Sequence, residues 1–390
     1  MKAHFVTGAS GFLGRHLVQA LLLRGDRVII LLREGKDGIG ASEKLRKIFP
    51  DAPERLTCRV GDITEKDLGL SEKDCKEIAA LHPELWHLAA DLSFDTRDQA
   101  GIFRTNVEGT KNVVRFANEH AVRFWHMSTA YVQGKPHGVI KEDGLTPSPI
   151  FRNHYEETKY KAEDVVRNEA KIPFLVLRPS IVLGDAYREK ALGCAFGYYR
   201  YLHIIHRFRA WIVRILRAGR VGCLLFRLLG TREYTEVATN ETTLSIPWLF
   251  LPEPHHGKVN VVPVSYVVNA VLSLLERNHA PGTTLHLVHD NPPTYKFLLD
   301  VLLSDLRIRG VHHLPVPIKV FTAGFRFLHA LVPPVRVYSR SALWYVPYID
   351  DVYSFETTQS RRAGIPPPPK ITKEYMSRVN ISAIETIGGG

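Results

Sequence analysis

Three glycines near the N-terminus constrain the fold more than any other feature of this sequence. Gly8, Gly11 and Gly14 form the pattern TGASGFLG, which follows a short apolar run and opens a stretch with apolar residues at helical spacing. A second apolar run at 27–32 completes a βαβ unit. In that setting the glycines permit a tight turn, a close backbone approach to a pyrophosphate, and packing of the helix on the strand. The loop therefore predicts a dinucleotide site contacted by Thr7, Gly8, Ser10, Gly11, Phe12, Leu13 and Gly14.

The rest of the first half repeats the alternation of strand and helix. Apolar strand-like runs, separated by helix-length segments, occur at 56–60, 85–88, 123–127 and 174–177. This alternation predicts an α/β fold, a Rossmann-type doubly wound parallel sheet with a smaller, mainly helical C-terminal substrate-binding part. The predicted domains are a Rossmann domain at 1–184 with a return segment near 257–290, and a substrate-binding part at 185–256 and 291–390.

The end of the second predicted strand indicates which dinucleotide binds. NAD-selective proteins place a carboxylate there for the ribose hydroxyls, whereas this sequence has Leu32 followed by Arg33. A guanidinium suits the 2′-phosphate of NADPH because its planar donors match a phosphate group. We therefore expect NADPH as the cofactor, with Arg33 at the 2′-phosphate. Asp62 and Ile63, after the third strand, are expected beside the adenine, although an aspartate there is also an ordinary helix cap.

Positive charge is concentrated in one part of the chain. The formal net charge is +11, and the segment 185–233 carries ten basic against three acidic residues. Such a block attracts an anionic partner. It carries no helix-turn-helix, zinc-finger or RNP pattern, so we do not expect nucleic acid. Anionic lipid, coenzyme A and an acyl carrier protein stay open as partners, and the apolar residues among the arginines leave peripheral membrane contact through 195–232 open as well.

Cysteine usage and hydropathy bear on the compartment. The four cysteines are scattered without a CxxC pair, and no histidine cluster has ligand spacing, so we expect neither a disulfide framework nor a metal site. The sequence enters its first strand directly, which leaves no stretch for a signal peptide. No apolar run reaches the roughly 18 residues of a membrane span. We therefore expect a cytoplasmic protein, with any membrane association confined to the surface.

Tyr155 and Lys159 form a candidate catalytic pair. They are four residues apart in a helix-length segment, so their side chains share one face. The ordinary tyrosine pKa of about 10 is high for proton transfer at neutral pH, and a nearby ammonium and an oxidised nicotinamide both lower it. Ser128 and Thr129 follow a predicted strand, where a hydroxyl faces the cofactor crevice and can hold a substrate carbonyl. Capping of the following turn is an additional role for these hydroxyls.

Six motifs in this order resemble the extended short-chain dehydrogenase/reductase superfamily. They are TGASGFLG, HLAAD at 87–91, NVEGT at 106–110, STAYV at 128–132, YEETK at 155–159 and LRPSIVLGD at 177–185. The forms AADLSF and STAYV are most similar to the male-sterility-type NAD(P)-binding branch, which contains fatty acyl reductases and thioester reductases. The resemblance covers the first half of the chain and continues weakly over 259–275, whereas 193–243 matches none of these patterns.

The resemblance implies a role for each matching residue. Thr129, Tyr155 and Lys159 would form the catalytic triad, with Ser128 beside them at the cofactor, and Asn106 would anchor a helix near the site. Tyr155 and Lys159 would also contact the cofactor, with Lys159 at the nicotinamide ribose, and the cofactor would be lined by Ala89, Ala90, Pro179, Ser180, Ile181 and Val182. Gln133 departs from the residue that many members carry before the following glycine, and the effect of this departure is open.

Together these features predict an NADPH-dependent reductase that converts an acyl thioester, on coenzyme A or a separate carrier, to an aldehyde or an alcohol. Three alternatives stay open. A dehydrogenase or ketoreductase of a lipid-like or sterol-like alcohol would use the same triad. A nucleotide-sugar epimerase or dehydratase is disfavoured by the missing carboxylate at Leu32, and a cofactor-binding scaffold without turnover is disfavoured by the intact triad.

Overall fold

The computed structural model divides the chain into two compact units. The first unit contains Met1–Val182, Val262–Asp290 and Tyr353–Pro369, and the second contains Leu183–Val261, Asn291–Val352 and Lys370–Gly390. The described residues are 1–34, 40–94, 96–135, 138–185, 197–218, 221–236, 241–253, 257–277, 279–314, 320, 322–323, 346–348 and 353–388. The predicted basic block therefore falls partly outside the described residues, at 186–196 and 219–220.

The regular elements alternate along the first half of the chain. The strands are β1 Ala3–Thr7, β2 Arg27–Leu32, β3 Leu56–Val60, β4 Glu84–His87, β5 Arg123–Met127, β6 Gly138–Ile140, β7 Phe174–Pro179, β8 Ile181–Leu183, β9 Arg232–Glu236, β10 Glu241–Ser245, β11 Phe250–Pro252, β12 Val261–Pro263, β13 Thr283–Leu287, β14 Ile308–Arg309, β15 His312–Leu314 and β16 Tyr353–Phe355. The helices are α1 Phe12–Leu23, α2 Ala41–Ile48, α3 Glu72–Ala79, α4 Gln99–Phe103, α5 Gly109–His120, α6 His154–Glu169, α7 Tyr198–Arg217, α8 Val221–Leu228, α9 Val264–Leu275, α10 Tyr295–Asp305, α11 Thr358–Arg362 and α12 Lys373–Gly388.

A seven-stranded parallel sheet forms the centre of the first unit. Its order is β13-β7-β5-β4-β1-β2-β3, and each neighbouring pair is parallel. Strand order reverses between β1 and β4, whose ends Thr7 and His87 lie in register. In open sheets of this kind a ligand binds outside the carboxyl ends of the strands at the point of reversal. The predicted Rossmann-type sheet is thus confirmed.

Two apolar cores cover the opposite faces of this sheet. Successive strand residues point to opposite faces, so Phe5 belongs to one core and Val6 to the other. Leu85 and Trp86 divide in the same way. The core that contains Val6 packs against α1 and α9, and the core that contains Phe5 packs against α3 and α5. Burial on both sides explains why these strands are continuous apolar runs in the sequence.

One segment near the C-terminus lies outside its predicted domain. The prediction assigned 353–369 to the substrate-binding part, whereas it belongs to the first unit. Its strand β16 pairs in parallel with β6. The buried carboxylate of Glu142 accepts hydrogen bonds from the backbone of Gln359 at 2.6 Å and of Ser360 at 3.0 Å, and from the Ser360 hydroxyl. These contacts join residues more than 200 positions apart, which no local sequence pattern reports.

The second unit is built mainly from α7, α8, α10 and α12, with small sheets formed by β9, β10 and β14 and by β11 and β15. Buried polar contacts connect three of its helices. The Tyr198 hydroxyl donates to Asn380 Oδ1 at 2.7 Å, and Asn380 Nδ2 donates to Asp305 Oδ2 at 2.7 Å. These buried contacts hold α7, α10 and α12 together as one packed structure.

Candidate active site

The glycine loop between β1 and α1 packs tightly against the end of β4. Gly8 has a φ of +78°, and a Cβ at this position would lie 2.5 Å from the backbone nitrogen of Ala89. A Cβ on Gly14 would collide with the carbonyl oxygen of Gly8. Gly11 is exposed and caps the N-terminus of α1. The loop thus has the sharp turn, the bare backbone and the close helix packing that a pyrophosphate site requires.

The other predicted residues of this loop divide into two groups. Ser10 is exposed, and Phe12 and Leu13 are partly exposed in the first turn of α1. Thr7 is buried, and its hydroxyl lies 2.8 Å from Nδ1 of His87. The Thr7 side chain therefore joins the ends of β1 and β4 and supports the loop from inside the protein.

Arg33 and Asp62 come together at the ends of the neighbouring strands β2 and β3. The Arg33 side chain is 63% exposed, and its Nη1 lies 3.9 Å from the Asp62 carboxylate. Asp62 also accepts a hydrogen bond from the backbone of Thr64 at 2.9 Å, while Ile63 is buried. An exposed guanidinium at this place can reach a phosphate, and the Asp62 carboxylate partly offsets the positive charge of the guanidinium.

Tyr155 and Lys159 lie on one face of α6, opposite the end of β5. Asn153 fixes the start of this helix, since its side chain accepts a hydrogen bond from the backbone of Glu156 at 3.0 Å. The Tyr155 side chain hydrogen-bonds with that of Thr129, and Lys159 Nζ donates to the carbonyl oxygen of Met127 at 2.8 Å. The three residues predicted as a triad are therefore neighbours.

Burial changes the pKa values of both groups on α6. It lowers the pKa of Lys159 to about 8, against the opposing effect of the Glu163 carboxylate. Burial also raises the pKa of Tyr155, as does the nearby Glu156, whereas the hydrogen bond with Thr129 lowers it. The sequence predicted a lowered tyrosine pKa, but the surrounding residues of the protein shift it upward. A protonated phenol is the form that can donate a proton to a reduced carbonyl.

Asn106 connects the end of β4 with α6. It is buried in the π-helical turn Arg104–Glu108, a local geometry that is frequent at functional sites. Its Oδ1 accepts from the backbone of Asp91 at 2.7 Å, and its Nδ2 donates to the hydroxyl of Thr158 at 3.0 Å. Asn106 thus holds α6 beside the strand ends, which is the anchoring role that the resemblance implied.

The remaining predicted cofactor residues lie along the same edge of the sheet. Ala89, Ala90, Ile181 and Val182 are partly exposed after the ends of β4 and β7, and Pro179 is buried. Ser180 is 7% exposed, and within the described ranges its hydroxyl has no hydrogen-bond partner. A buried hydroxyl of this kind needs a partner. Together with the bare loop around Gly11, this edge fits a bound dinucleotide.

Ser128 faces the interior, contrary to the expected contact with the cofactor crevice. Its hydroxyl donates to Glu163 Oε2 at 2.6 Å. Arg178 also contacts this carboxylate, through Nη2 at 2.6 Å and Nε at 3.1 Å. Sequence reasoning missed both Glu163 and Arg178. The signals were present, because Glu163 follows Lys159 by one helical turn and Arg178 lies within the LRP motif.

Within the part of the chain that the structure describes, no group of three or more His, Cys, Asp or Glu side chains is arranged to hold a metal ion. Among the same residues, no helix combines the length and the apolar character needed to cross a bilayer.

Solved structures share this fold along nearly the whole chain. The terminal R domain from the myxalamid PKS-NRPS biosynthetic pathway has a TM-score of 0.72 at 20% identity, covering 99% of this chain and 91% of that one. The reductase (R) domain of a nonribosomal peptide synthetase from Mycobacterium tuberculosis has a TM-score of 0.70 at 20% identity, covering 100% and 92%. At such identities the similarity concerns the fold.

Relatives in sequence point to a narrower group. Fatty acyl-CoA reductase wat of Drosophila melanogaster is 27% identical over 255 residues, which cover 55% of this chain and 49% of that protein. Fatty acyl-CoA reductase 2 of Homo sapiens is 26% identical over 234 residues, covering 49% and 45%. This chain spans about half the length of these relatives. The family profile described as "Male sterility protein" matches residues 6–271. Because this match covers more than half of the chain, the protein belongs to the male sterility protein family, the branch of the extended short-chain dehydrogenases/reductases that its motifs resemble.

Proposed function

We propose that this protein is an NADPH-dependent reductase that converts an acyl thioester to an aldehyde or an alcohol. The observation that carries the proposal is the arrangement of Thr129, Tyr155 and Lys159 at the carboxyl end of β5. This arrangement lies on the same sheet edge as the glycine loop. A carbonyl and a nicotinamide can therefore bind side by side at this edge.

The chain's own residues would carry the proton chemistry. Bound NADPH supplies a hydride to the carbonyl carbon. Tyr155 Oη donates its proton to the carbonyl oxygen, and the Thr129 hydroxyl orients that oxygen through a hydrogen bond. With a thioester, the resulting thiohemiacetal collapses as its C–S bond breaks: the hydroxyl proton returns to the Tyr155 phenolate as the aldehyde forms, and the departing thiolate takes a proton from solvent to leave as the thiol. Lys159, one helical turn from Tyr155 on the same face of α6, would contribute a positive charge that stabilises the phenolate left after proton transfer.

The preference for NADPH rests on Arg33. Its guanidinium is exposed at the end of β2, where an NAD-selective protein has a carboxylate. Asp62, at 3.9 Å, orients the guanidinium without withdrawing it from solvent. A phosphate bound there would form charge-assisted hydrogen bonds with the two terminal nitrogens.

The substrate class rests on the relatives. Two of them are named fatty acyl-CoA reductases, and the family profile covers the residues that form the proposed site. Ketoreduction of a lipid-like alcohol is the second candidate, because the same triad would act on a ketone. An epimerase is less favoured, since Leu32 stands where an NAD-selective protein has a carboxylate.

A substrate panel tests the proposal. Purified protein would be incubated with NADPH and a long-chain acyl-coenzyme A, an acyl thioester of a carrier protein, a fatty aldehyde, a cyclic ketone or a nucleotide sugar. Products would be identified by mass spectrometry. Reduction of the acyl thioester or the aldehyde is expected, and Tyr155→Phe should abolish it. Turnover of ketones or sugars without any on thioesters and aldehydes would reject the proposed substrate class.

We also propose that the second unit contacts an anionic membrane surface through α7 and α8. The described helix α7 contains five arginines and no acidic residue. Arg207 and Arg214 are exposed seven residues apart, on one face. On α8, Leu224 is 61% exposed and Leu228 is 76% exposed. A combination of exposed arginines and exposed leucines is typical of helices that lie on anionic bilayers. Coenzyme A alone or an acidic carrier would require the arginines but leave the leucines unexplained.

A further inference from the structure

A buried polar network in the first unit surrounds Glu163, a residue that the mechanism above does not use. Its carboxylate is fully buried in α6 and accepts hydrogen bonds from three side chains. These donors are Ser128 Oγ at 2.6 Å, Arg178 Nη2 at 2.6 Å and Arg167 Nη2 at 2.7 Å. Burial raises the pKa of Glu163, but the arginines and the Ser128 hydroxyl outweigh this and lower it. A buried carboxylate with this many donors is charged.

The residues of α6 that contact the end of β5 are evenly spaced along the helix. Tyr155, Lys159 and Glu163 are separated by four residues each, so they form one row along the helix. Each member contacts the end of β5. Tyr155 contacts Thr129, Lys159 donates to the Met127 carbonyl, and Glu163 accepts from the Ser128 hydroxyl that lies between them. Met127, the last residue of β5, and the next two residues are therefore each contacted by a side chain from one of three successive turns of α6.

Arg178 connects this row to the next strand. It lies in β7, and the preceding residue, Leu177, accepts a hydrogen bond from the backbone of Ser128 at 2.8 Å. Arg178 also donates from Nη2 to the carbonyl oxygen of Gly144 at 3.3 Å. The Glu163 carboxylate thus links α6 both to the end of β5, through Ser128, and to β7, through Arg178.

We propose that Glu163 is a positioning residue for the reduction. By holding Ser128 and Arg178, it seats α6 in the register that places Tyr155 on Thr129 and Lys159 on the Met127 carbonyl. This proposal rests on the proposed function of the triad. It adds a residue that touches neither substrate nor cofactor but determines where the proton donor lies.

Glu163 also acts on the charge of Lys159. The groups that face Lys159 from the packed strands are His87 on β4 and His126 on β5. Burial lowers the pKa of His87 to about 3 and places the pKa of His126 well below its ordinary value, so both rings are neutral near pH 7. The Glu163 carboxylate is the group that opposes the desolvation of Lys159. Removing its charge should make Lys159 lose its proton at a lower pH.

The test compares Glu163→Gln with a matched substitution of another buried carboxylate. Glu142→Gln is the control, because Glu142 is buried in the same unit but contacts His286, Gln359 and Ser360. A third variant, Ser128→Ala, removes the hydrogen bond and leaves the Glu163 charge in place. Each protein would be assayed for kcat and KM across pH, with rates normalised to the number of NADPH-binding sites.

We expect kcat of Glu163→Gln to fall at least about tenfold with little change in KM, since small misplacements of a catalytic group are costly. The high-pH limb of its plot of kcat against pH should move to lower pH by about one unit, because the variant lacks the Glu163 charge that stabilises the protonated amine of Lys159. Ser128→Ala should lower kcat without moving the limb. Glu142→Gln should do neither. A wild-type kcat in Glu163→Gln, or an equal loss in Glu142→Gln, would overturn the proposal.

Two further choices keep this test independent of folding and of the substrate. If Glu163→Gln does not fold, Ser128→Ala decides, and a wild-type kcat in that variant overturns the positioning role. Should the wild type reduce aldehydes or ketones but no thioester, the proposed substrate class fails, and the same comparison proceeds with the substrate that is reduced. The affinity for NADPH, measured across pH by nicotinamide fluorescence, reports the change in the pKa of Lys159 without requiring turnover.

Discussion

Lys159 donates from Nζ to the carbonyl oxygen of Met127 at 2.8 Å in the interior of the first unit. This contact holds an ammonium group in a place where burial lowers its pKa to about 8. The unfolded chain retains the ordinary lysine pKa of about 10.4. Between these two pH values the unfolded state therefore binds more protons through this residue than the folded state does.

The first prediction concerns stability and pH. Because the unfolded state binds more protons in this window, the contribution of Lys159 to the free energy of unfolding should rise as pH increases from 8 to about 10.4. The rise should amount to roughly 3 kcal/mol, at 1.36 kcal/mol per pKa unit. Thermal unfolding of wild type and Lys159→Met across pH would show it as a slope that the variant lacks. Lys161→Met, on the same helix, should keep the wild-type slope.

The second prediction concerns the proton donor. Tyr155→Phe should keep NADPH binding and lower kcat by about 10²- to 10⁴-fold, the usual contribution of general acid catalysis. The matched control is Tyr160→Phe, because Tyr160 lies on the same helix with its hydroxyl on the Thr146 carbonyl. Steady-state rates with the reduced substrate and cofactor titrations would be measured for both. Normal turnover in Tyr155→Phe would remove this residue from the mechanism.

Cofactor preference supplies the third prediction. Arg33→Asp should weaken NADPH binding by about 1.5–3 kcal/mol, the range for hydrogen bonds to charged groups. It should also narrow or reverse the preference over NADH. Arg27→Asp is the control, since Arg27 is exposed at the opposite end of the same strand. Fluorescence titrations with both cofactors would decide, and tighter binding of NADH by the wild type would disprove the assignment.

The fourth prediction concerns the membrane surface. Arg207→Glu/Arg214→Glu and Leu224→Ser/Leu228→Ser should each weaken binding to vesicles that contain phosphatidylserine, and added salt should weaken wild-type binding. Arg46→Glu/Lys66→Glu is the control for the arginine variant, because it makes the same change in net charge at exposed residues of the first unit and should bind vesicles as the wild type does. Co-sedimentation with anionic and neutral vesicles would measure each protein. If the leucine variant binds as the wild type does while the arginine variant fails, vesicle binding is purely electrostatic and the leucines of α8 take no part in it; a wild type that does not bind anionic vesicles would reject the membrane contact.

Local rules were enough to predict the frame of the cofactor site. Gly8 requires a left-handed φ, and Gly14 leaves no space for a side chain. Such steric limits act over a few residues, so they can be read from sequence. The apolar strands were recognisable for a similar reason, because burial on both faces demands uninterrupted apolar residues. The helical spacing of Tyr155 and Lys159 likewise placed the two side chains on one face before any tertiary contact was known.

The tertiary structure decided where the buried charges and hydroxyls of the site point. Ser128 was expected at the cofactor, but its hydroxyl faces Glu163 because Arg178 and Arg167 hold a carboxylate there. The Tyr155 pKa was expected to fall, but burial and Glu156 raise it. Burial and charge act through space, between groups that come from different strands and helices. The sequence alone therefore determined the scaffold and the choice of Tyr155 and Lys159 as the candidate reactive pair, whereas the folded chain determined the pKa shifts of these two residues and the side chains that hold them in place.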